Sequence, residues 1–138
     1  MADVFTKEER SRVMRRVKGA DTKPEMRVRR RLHALGFRYS LHRKDLPGKP
    51  DIVLRKFKTV VFVHGCFWHG HRDCKAADLP ASNRAYWEQK IGRNLDRDQR
   101  NQALLREKGW QVIVIWECRL ADLDAMLAPL LAAREELP

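Results

Sequence analysis

The chain has 138 residues, with 29 lysines and arginines against 18 aspartates and glutamates, and a formal charge of +11. This length supports one domain with a hydrophobic core but not two comfortable ones. No apolar run approaches the roughly 20 residues of a membrane span, and the first residues lack the pattern of a secretory signal. The excess of positive charge favours a polyanionic partner.

Two capping boxes predict two helices at the start of the chain. The first box is Thr6-Lys7-Glu8-Glu9, and its helix ends near Gly19. This helix is dense in arginine and has little apolar surface, so it either lies against a partner outside the domain or is a solvated terminus. The second box is Thr22-Lys23-Pro24-Glu25, and Gly36 ends its helix.

A strand-rich segment follows these helices. Alternating apolar and polar residues predict a half-buried strand over residues 37–42. After a Pro-Gly turn, residues 51–55 and 59–64 predict two short buried strands joined as a hairpin. Residues 65–81 form a loop rich in cysteine and histidine.

The last third of the chain predicts a long helix, a strand and a final helix. The long helix spans residues 84–108, with Gly92 as a point where it bends or splits. Residues 110–116 form a strand with a parallel neighbour, and a last helix begins near Asp122 with a kink at Pro129. The apolar residues predicted to face inward on the long helix are Ile91, Leu95, Leu104 and Leu105. The whole pattern predicts an α/β fold, a mixed sheet flanked by helices.

The three cysteines favour a metal site in a reducing compartment. Their odd number does not fit a disulfide framework, and Cys66 and Cys74 flank His71 within nine residues. Cys118 lies just past the last strand. Four nitrogen or sulfur ligands are what structural zinc requires. The alternative is buried free thiols with unrelated histidines.

A second group of residues has the chemistry of phosphodiester hydrolysis. Asp51 alone could be a turn residue, but Glu25, His64 and His69 accompany it. Carboxylate oxygens suit Mg²⁺, which neutralises charge and activates water, and imidazole transfers protons.

Four tryptophans and a phenylalanine raise the question of base stacking. Trp110 and Trp116 lie in the last strand, and we expect them in the core. Phe67, Trp68 and Trp87 lie in or after the cysteine loop, beside much positive charge. For these three side chains, wedging between bases competes with core packing.

Several motifs together resemble a known family, and the match runs from about residue 8 to residue 120. They are Ser11-Arg12-Val13-Met14-Arg15, Asp21-Thr22 with Glu25, Leu46-Pro47-Gly48-Lys49-Pro50-Asp51, His64-Gly65-Cys66-Phe67-Trp68-His69, Lys90-Ile91-Gly92-Arg93-Asn94, Arg97-Asp98, and Gly109-Trp110 through Trp116-Glu117-Cys118. They resemble the very-short-patch repair endonucleases (Vsr). The 64–69 string is the most specific of these motifs.

The resemblance implies a restriction-endonuclease-like fold and a strand-specific nick 5′ of the thymine in a T:G mispair. Such mispairs arise when 5-methylcytosine deaminates. It implies one endonuclease domain over residues 1–138, with a DNA-gripping helix at 1–20, a catalytic core at 21–120 and a C-terminal helix at 121–138. It also implies a monomer in the bacterial cytoplasm, at the nucleoid, that acts on double-stranded DNA together with mismatch-repair proteins.

The resemblance assigns the magnesium ligands. Asp51 would hold catalytic Mg²⁺, with the backbone carbonyl of Val63 as a second ligand, and Glu25 would act through metal-bound water. Residue 63 is commonly threonine in the family, and its replacement by valine is tolerable if the carbonyl alone binds the metal. The strand at 59–64 carries no carboxylate or lysine, so a backbone oxygen and histidines stand in for the usual acidic-x-lysine pair.

The resemblance also assigns the proton-transfer groups and the zinc ligands. His69 would be the acid–base group, and His64 would assist, oriented by Asp98. The structural zinc ligands would be Cys66, His71, Cys74 and Cys118. Between the last two ligands in the loop there is one more residue than in the family pattern. The nitrogen ligand could therefore be either His71 or His69.

The resemblance also implies the DNA contacts. Phe67, Trp68 and Trp87 would enter the base stack from the major groove, while the first helix and Met14 grip the minor groove. Candidates for reading flanking bases are Lys90, Arg93 and Asn94. Two rivals remain, a sequence-specific endonuclease on fully paired DNA and a non-catalytic, zinc-stabilised DNA-binding module. A comparison of T:G and matched duplexes separates them.

Overall fold

The structure, a computed structural model, describes residues 21–136. The first predicted helix and Met14 lie outside these residues. Within them, the helices and strands are α1 (Lys23–Ala34), β1 (Ser40–Leu41), β2 (Ile52–Leu54), β3 (Thr59–His64), α2 (Arg84–Glu107), β4 (Gln111–Trp116), α3 (Leu123–Met126) and α4 (Ala128–Glu135). Short 3-10 turns lie at Arg55–Phe57, Lys75–Ala77 and Glu117–Asp122.

Helix α1 begins at the predicted cap. Thr22 Oγ1 accepts a hydrogen bond from the Glu25 backbone N–H at 3.3 Å, and Pro24 lies in the first turn, where its missing N–H costs little. The Glu25 carboxylate does not complete the box; it binds His42 and Arg29 instead. The capping residue therefore starts the helix and leaves the glutamate for another task.

The described residues contain a four-stranded sheet of order β1-β2-β3-β4. Strands β1, β2 and β3 pair in antiparallel fashion, with Ile52 opposite Val61. Strand β4 pairs with β3 in parallel, with Ile113 beside Val61, because α2 carries the chain back to the same end of the sheet. The predicted mixed α/β fold, the hairpin and the parallel neighbour are confirmed.

Helices cover both faces of the sheet. Alternate residues of β3 enter different clusters, Val61 in one and Val60 with Phe62 in the other. The first cluster joins the sheet to α1, α3 and α4, with Val28, Leu32, Ile52, Ile113, Leu123, Leu127 and Leu130. The second joins it to α2, with Val53, Leu105 and Trp110. The ends of β3 and β4 are thus held between two helical layers.

Two predicted elements differ from the structure at their edges. The strand expected over residues 37–42 shrinks to β1, and Leu41 is 38% exposed, because β1 is the edge strand and only two of its residues pair with β2. The final helix divides at Leu127 into α3 and α4, and Pro129 lies in the first turn of α4 instead of inside a kinked helix. Gly92 does not split α2, which is continuous.

Two burial expectations were wrong. Leu104 is 44% exposed while Leu105 is fully buried, because neighbouring residues on a helix point about 100° apart and α2 packs through one side. Trp116 is half-buried instead of central, and its ring stacks on His71. Among residues 21–136, no helix has both the length and the apolar character needed to cross a bilayer.

This difference offers a matched stability test. Leu105→Ala should lower the free energy of unfolding by about 2–5 kcal/mol, since it opens a cavity between α2 and the sheet. Leu104→Ala, one residue away, should cost less than about 1 kcal/mol. Urea unfolding of both variants measures this, and equal losses would contradict the packing described here.

Candidate active site

A cleft of about 920 Å³ opens beside the last residues of β3. It gathers side chains from α1, the start of β2, the loop after β3, and α2. The predicted residues that line it are Glu25, Asp51, Val63, His64, Phe67, Trp68, His69 and Asp98. Catalytic, metal-binding and base-stacking candidates therefore share one cavity.

The Asp51 carboxylate is fastened to the sheet by the hairpin. Asp51 lies just before β2, and its Oδ2 accepts a hydrogen bond from the Val63 backbone N–H at 2.7 Å. Burial, together with the negative charge of Glu25 and a side-chain hydrogen bond with it, raises the pKa of Asp51 to about 6, and the Val63 N–H opposes the rise. A partly buried carboxylate beside a second one is a place where a cation is stabilising.

Glu25 is 2% exposed, and two residues that sequence analysis missed surround its carboxylate. His42 Nε2 lies 2.9 and 3.1 Å from its two oxygens, and Arg29 contacts it from one helical turn away. Arg29 also binds Asp21 at 2.5 Å. No motif marked His42, since 17 residues separate it from Glu25.

His64 and His69 form a parallel stack, with ring centroids 3.7 Å apart and an interplanar angle of 4°. His69 Nδ1 lies 2.7 Å from the Asp98 carboxylate. Asp98 therefore orients His69, whereas we expected it to orient His64. This bond favours a proton on Nδ1 and leaves Nε2 for other partners. Asp98 lies on α2, 29 residues after His69, so sequence spacing could not show which histidine it binds.

His64 is the inner ring of this stack. It is 4% exposed, and within the described part of the chain its buried Nδ1 has no hydrogen-bond partner. Burial and, to a smaller extent, the neighbouring His69 lower the pKa of His64 to about 3, against a smaller opposing effect of Asp98. His64 is therefore neutral at physiological pH.

The cysteines and His71 converge on one point. One ligand atom from each of Cys66, His71, Cys74 and Cys118 lies within 4.8 Å of all the others. Cys118 Sγ is 3.4 Å from His71 Nδ1. The parallel pairing of β3 and β4 explains the meeting, because the loop after β3 and the turn after β4 leave the sheet at the same edge. The three sulfurs and one imidazole nitrogen fit tetrahedral zinc.

This geometry also separates the two histidines left open by the sequence. His71 belongs to the cysteine cluster and stacks on Trp116 at 4.1 Å, whereas His69 lies with His64 and Asp98. His71 is therefore the histidine placed to bind with the cysteines, and His69 faces the cleft.

Phe67, Trp68 and Trp87 pack edge to face. Ring centroids are 5.0 Å apart for Phe67 and Trp68, and 5.4 Å for Phe67 and Trp87. Phe67 and Trp68 are half-buried and line the cleft, but Trp87 is only 2% exposed. Its burial differs from the exposure that we expected of a base-stacking side chain. Trp87 lies behind the other two rings as their support.

The loop that carries these rings is held closely to α2. Gly70 has φ +58, and a Cβ there would lie 2.8 Å from Ile91 Cγ2, so no larger residue fits without movement. Asn94 Nδ2 donates to the Trp68 carbonyl at 2.8 Å, and its Oδ1 accepts from Arg97 at 2.8 Å. Asn94, a predicted base reader, therefore braces the loop with its amide.

The charges around the cleft differ from those that we selected. Lys90 is half-buried, Arg93 is exposed, and neither lines the cleft. The cleft instead has three other cations at its walls, Lys44, Lys49 and Arg97. The positions of Lys44 and Lys49 depend on the turn before Asp51, which composition alone could not orient.

The raised pKa of Asp51 predicts an effect on stability. In metal-free protein, the folded state holds the Asp51 proton up to about pH 6, whereas an unfolded aspartate releases it near 3.9. The folded state binds more protons in this window, so this contribution to stability is lost as pH rises from about 4 to 6.

Asp51→Asn keeps an oxygen for the Val63 N–H and removes the charge. The variant should therefore be about 2–3 kcal/mol more stable than the wild type at pH 7, a gap that closes by pH 4. Urea unfolding at both pH values, in buffer without Mg²⁺, measures the gap. The His64 titration is common to both proteins and largely cancels, and a gap independent of pH would contradict the environment assigned to Asp51.

Comparisons with known proteins identify the family of the chain. The profile of the family "DNA mismatch endonuclease Vsr" matches residues 2–76. The type II nicking enzyme V.XorIIP of Xanthomonas oryzae pv. oryzae is 50% identical over 130 residues, 94% of this chain and 95% of the relative. The DNA mismatch endonuclease Vsr of Escherichia coli K12 is 39% identical over 136 residues, 99% of this chain and 86% of the relative.

Among solved structures, the catalytic domain of the homing endonuclease I-Bth0305I superposes with a TM-score of 0.55 at 23% identity. It covers 82% of this chain and 94% of that domain, which supports a shared mixed α/β fold. The matched profile and the identity to relatives over nearly the whole chain lead to one conclusion. The chain belongs to the Vsr DNA mismatch endonuclease family and is a DNA-nicking endonuclease.

Proposed function

We propose that this protein nicks one strand of duplex DNA 5′ of the thymine in a T:G mispair, and so starts the repair of deaminated 5-methylcytosine. The observation that carries this proposal is one cleft shared by Asp51, the two stacked histidines, and the Phe67–Trp68 pair. The named activity of the Escherichia coli relative, a DNA mismatch endonuclease, supports it. A nuclease centre beside a wedge suits a lesion that is recognised by its weak stacking.

The acidic residues fit a catalytic divalent cation, for which we propose Mg²⁺. Asp51 and the backbone carbonyl of Val63 would hold the ion, and Glu25 would bind through its water shell. Two carboxylates in a half-buried site, one with a raised pKa, gain from a divalent charge between them. When bound, the ion would supply charge neutralisation and water activation at the scissile phosphate.

His69 is the group we assign to proton transfer. Asp98 holds its Nδ1, which orients the ring and leaves Nε2 toward the substrate. His64, neutral and buried, packs flat against this ring and limits its rotation. The pair thus presents one imidazole nitrogen in a fixed place.

Phe67 and Trp68 would enter the stack beside the mispair. A T:G wobble stacks poorly, so separating it costs less than the few kcal/mol of an intact step. The lesion is then selected by its deformability as well as by contacts. Trp87 contacts both rings from behind. We propose that it supports their insertion and does not itself enter the base stack. The first helix, Met14, Lys90 and Arg93 remain proposed DNA contacts.

The cysteine cluster would hold structural zinc through Cys66, His71, Cys74 and Cys118. Since Cys66 follows β3 and Cys118 follows β4, the ion would pin the ends of two parallel strands on which the cleft is built. Further, we propose a restriction-endonuclease-like single domain with the segments given above. It would act as a monomer at the bacterial nucleoid, in the cytoplasm, with mismatch-repair proteins as partners.

A duplex panel tests the nicking proposal. The wild type with Mg²⁺ should cut the thymine strand of a T:G duplex, and leave the matched duplex and the opposite strand intact. Asp51→Ala should abolish nicking because it removes the metal-binding carboxylate, while mismatch binding stays within about three-fold. Gel-resolved single-turnover assays and binding titrations measure both.

Other outcomes of this panel identify the rivals. Equal double-strand cleavage of T:G and matched DNA would favour a sequence-specific endonuclease. Binding without any metal-dependent product would favour a non-catalytic module. Asp51→Ala cutting at the normal rate would remove Asp51 from the mechanism.

The zinc proposal has its own prediction. Purified wild-type protein, washed with a weak chelator, should contain about one zinc per chain, because four preorganised ligands release the ion slowly. His71→Ala should lose this zinc and melt at a lower temperature, while His69→Ala should keep the zinc and lose nicking. Elemental analysis and thermal melting decide the matter. Zinc retained by His71→Ala but lost from His69→Ala would reverse the assignment.

A further inference from the structure

His42 connects the two carboxylates of the cleft. Its backbone N–H donates to the Asp51 carbonyl at 3.1 Å. Its Nε2 lies 2.9 Å from Glu25 Oε2 and 3.1 Å from Oε1. One residue is therefore hydrogen-bonded to the β2 side of the cleft through its backbone and to the α1 side through its ring.

The backbone at His42 explains how the ring reaches Glu25. Residue 42 follows β1 and has φ +47, in the left-handed region. Histidine, asparagine and aspartate are the residues other than glycine that enter this region most readily. The pairing of β1 with β2 sets the position of this turn, so the ring is placed by the sheet and not by a free loop.

Glu25 needs a partner that fixes its direction. Its carboxylate is 2% exposed and lies near the Asp51 charge, so an unpaired arrangement would be costly. Arg29 also contacts it, but Arg29 is on the same helix and is shared with Asp21 at 2.5 Å. The Glu25 carboxyl group also makes a direct side-chain hydrogen bond with Asp51. His42 adds a link from outside this acidic pair, because its ring binds Glu25 while its backbone N–H binds the Asp51 carbonyl.

We propose that His42 is a positioning residue for nicking, which holds the Glu25 carboxylate at a set place relative to Asp51. Through this bridge, the carboxyl groups of Glu25 and Asp51 are held facing the same part of the cleft. The role rests on the proposed Mg²⁺-dependent nicking, because Glu25 acts there in concert with Asp51. Outer residues that orient the groups around a metal commonly change activity by about 10- to 100-fold when removed.

Two substitutions at position 42 separate this role from a structural one. His42→Asn suits the left-handed backbone but is too short to reach Glu25. His42→Gln has a longer side chain with an N–H donor in range of the carboxylate. His33→Asn, on the exposed side of α1, is the matched control.

His42→Asn should lower the single-turnover nicking rate by about 10- to 100-fold, while metal-free binding of the T:G duplex stays within about three-fold. His42→Gln should restore most of the lost rate, and His33→Asn should match the wild type. In a Glu25→Gln background, His42→Asn should cause no further loss, because the contact it removes is already altered. A double-mutant cycle without Mg²⁺ uses the wild type, His42→Asn, Glu25→Gln and the double variant. Urea unfolding of these four proteins should show non-additive changes in the free energy of unfolding.

The unfolding cycle requires no nicking, so it separates the two proposals. If the wild type fails to nick T:G DNA, the proposed function is wrong, and additive unfolding would then also remove the His42–Glu25 bridge. If the wild type nicks, His42→Asn at the normal rate would overturn the positioning role. Losses of nicking that multiply in the double variant, or His42→Gln no better than His42→Asn, would overturn it as well.

Discussion

The site depends on the hydrogen bond between the Val63 N–H and the Asp51 carboxylate, 2.7 Å long, across the β2–β3 hairpin. It holds an acidic group at the mouth of a cleft where burial and a neighbouring glutamate both act against its charge. The fold accepts this local instability because buried valines, leucines and isoleucines on both faces of the sheet stabilise the strands around it. The unfavourable burial and mutual repulsion of the two carboxylates are the basis of the cleft's expected affinity for a cation.

The parallel pair of strands is what brings distant chemistry together. Because β3 and β4 run in the same direction, the loop after one and the turn after the other meet at a single edge. That edge carries the cysteine cluster on one side and the stacked histidines on the other, with Trp116 in ring contact with both His71 and His64. The proposed structural metal site and the proposed catalytic site thus share supports, and damage to one is expected to reach the other.

The sequence was sufficient for features that depend on residue type and local spacing. The cap at Thr22, the hairpin, the long helix and the three cysteines of the cluster follow from such patterns, and the structure has them. The choice of His71 over His69 as the fourth member needed the structure. The sequence was insufficient to predict which side chains pair or become buried where the helices pack on the sheet. The pairing of Asp98 with His69, the burial of Trp87, the outward face of Leu104 and the link from His42 to Glu25 depend on how α1 and α2 are rotated against the sheet, which no short motif encodes.

The face-to-face rings of His64 and His69 limit how much charge the centre can carry. Two imidazolium cations 3.7 Å apart would repel strongly in a half-enclosed space, so the stack has room for a single positive charge. His69, with 27% of its side chain accessible, is the more open member, against 4% for His64. Bulk water therefore reaches the pair through its outer ring.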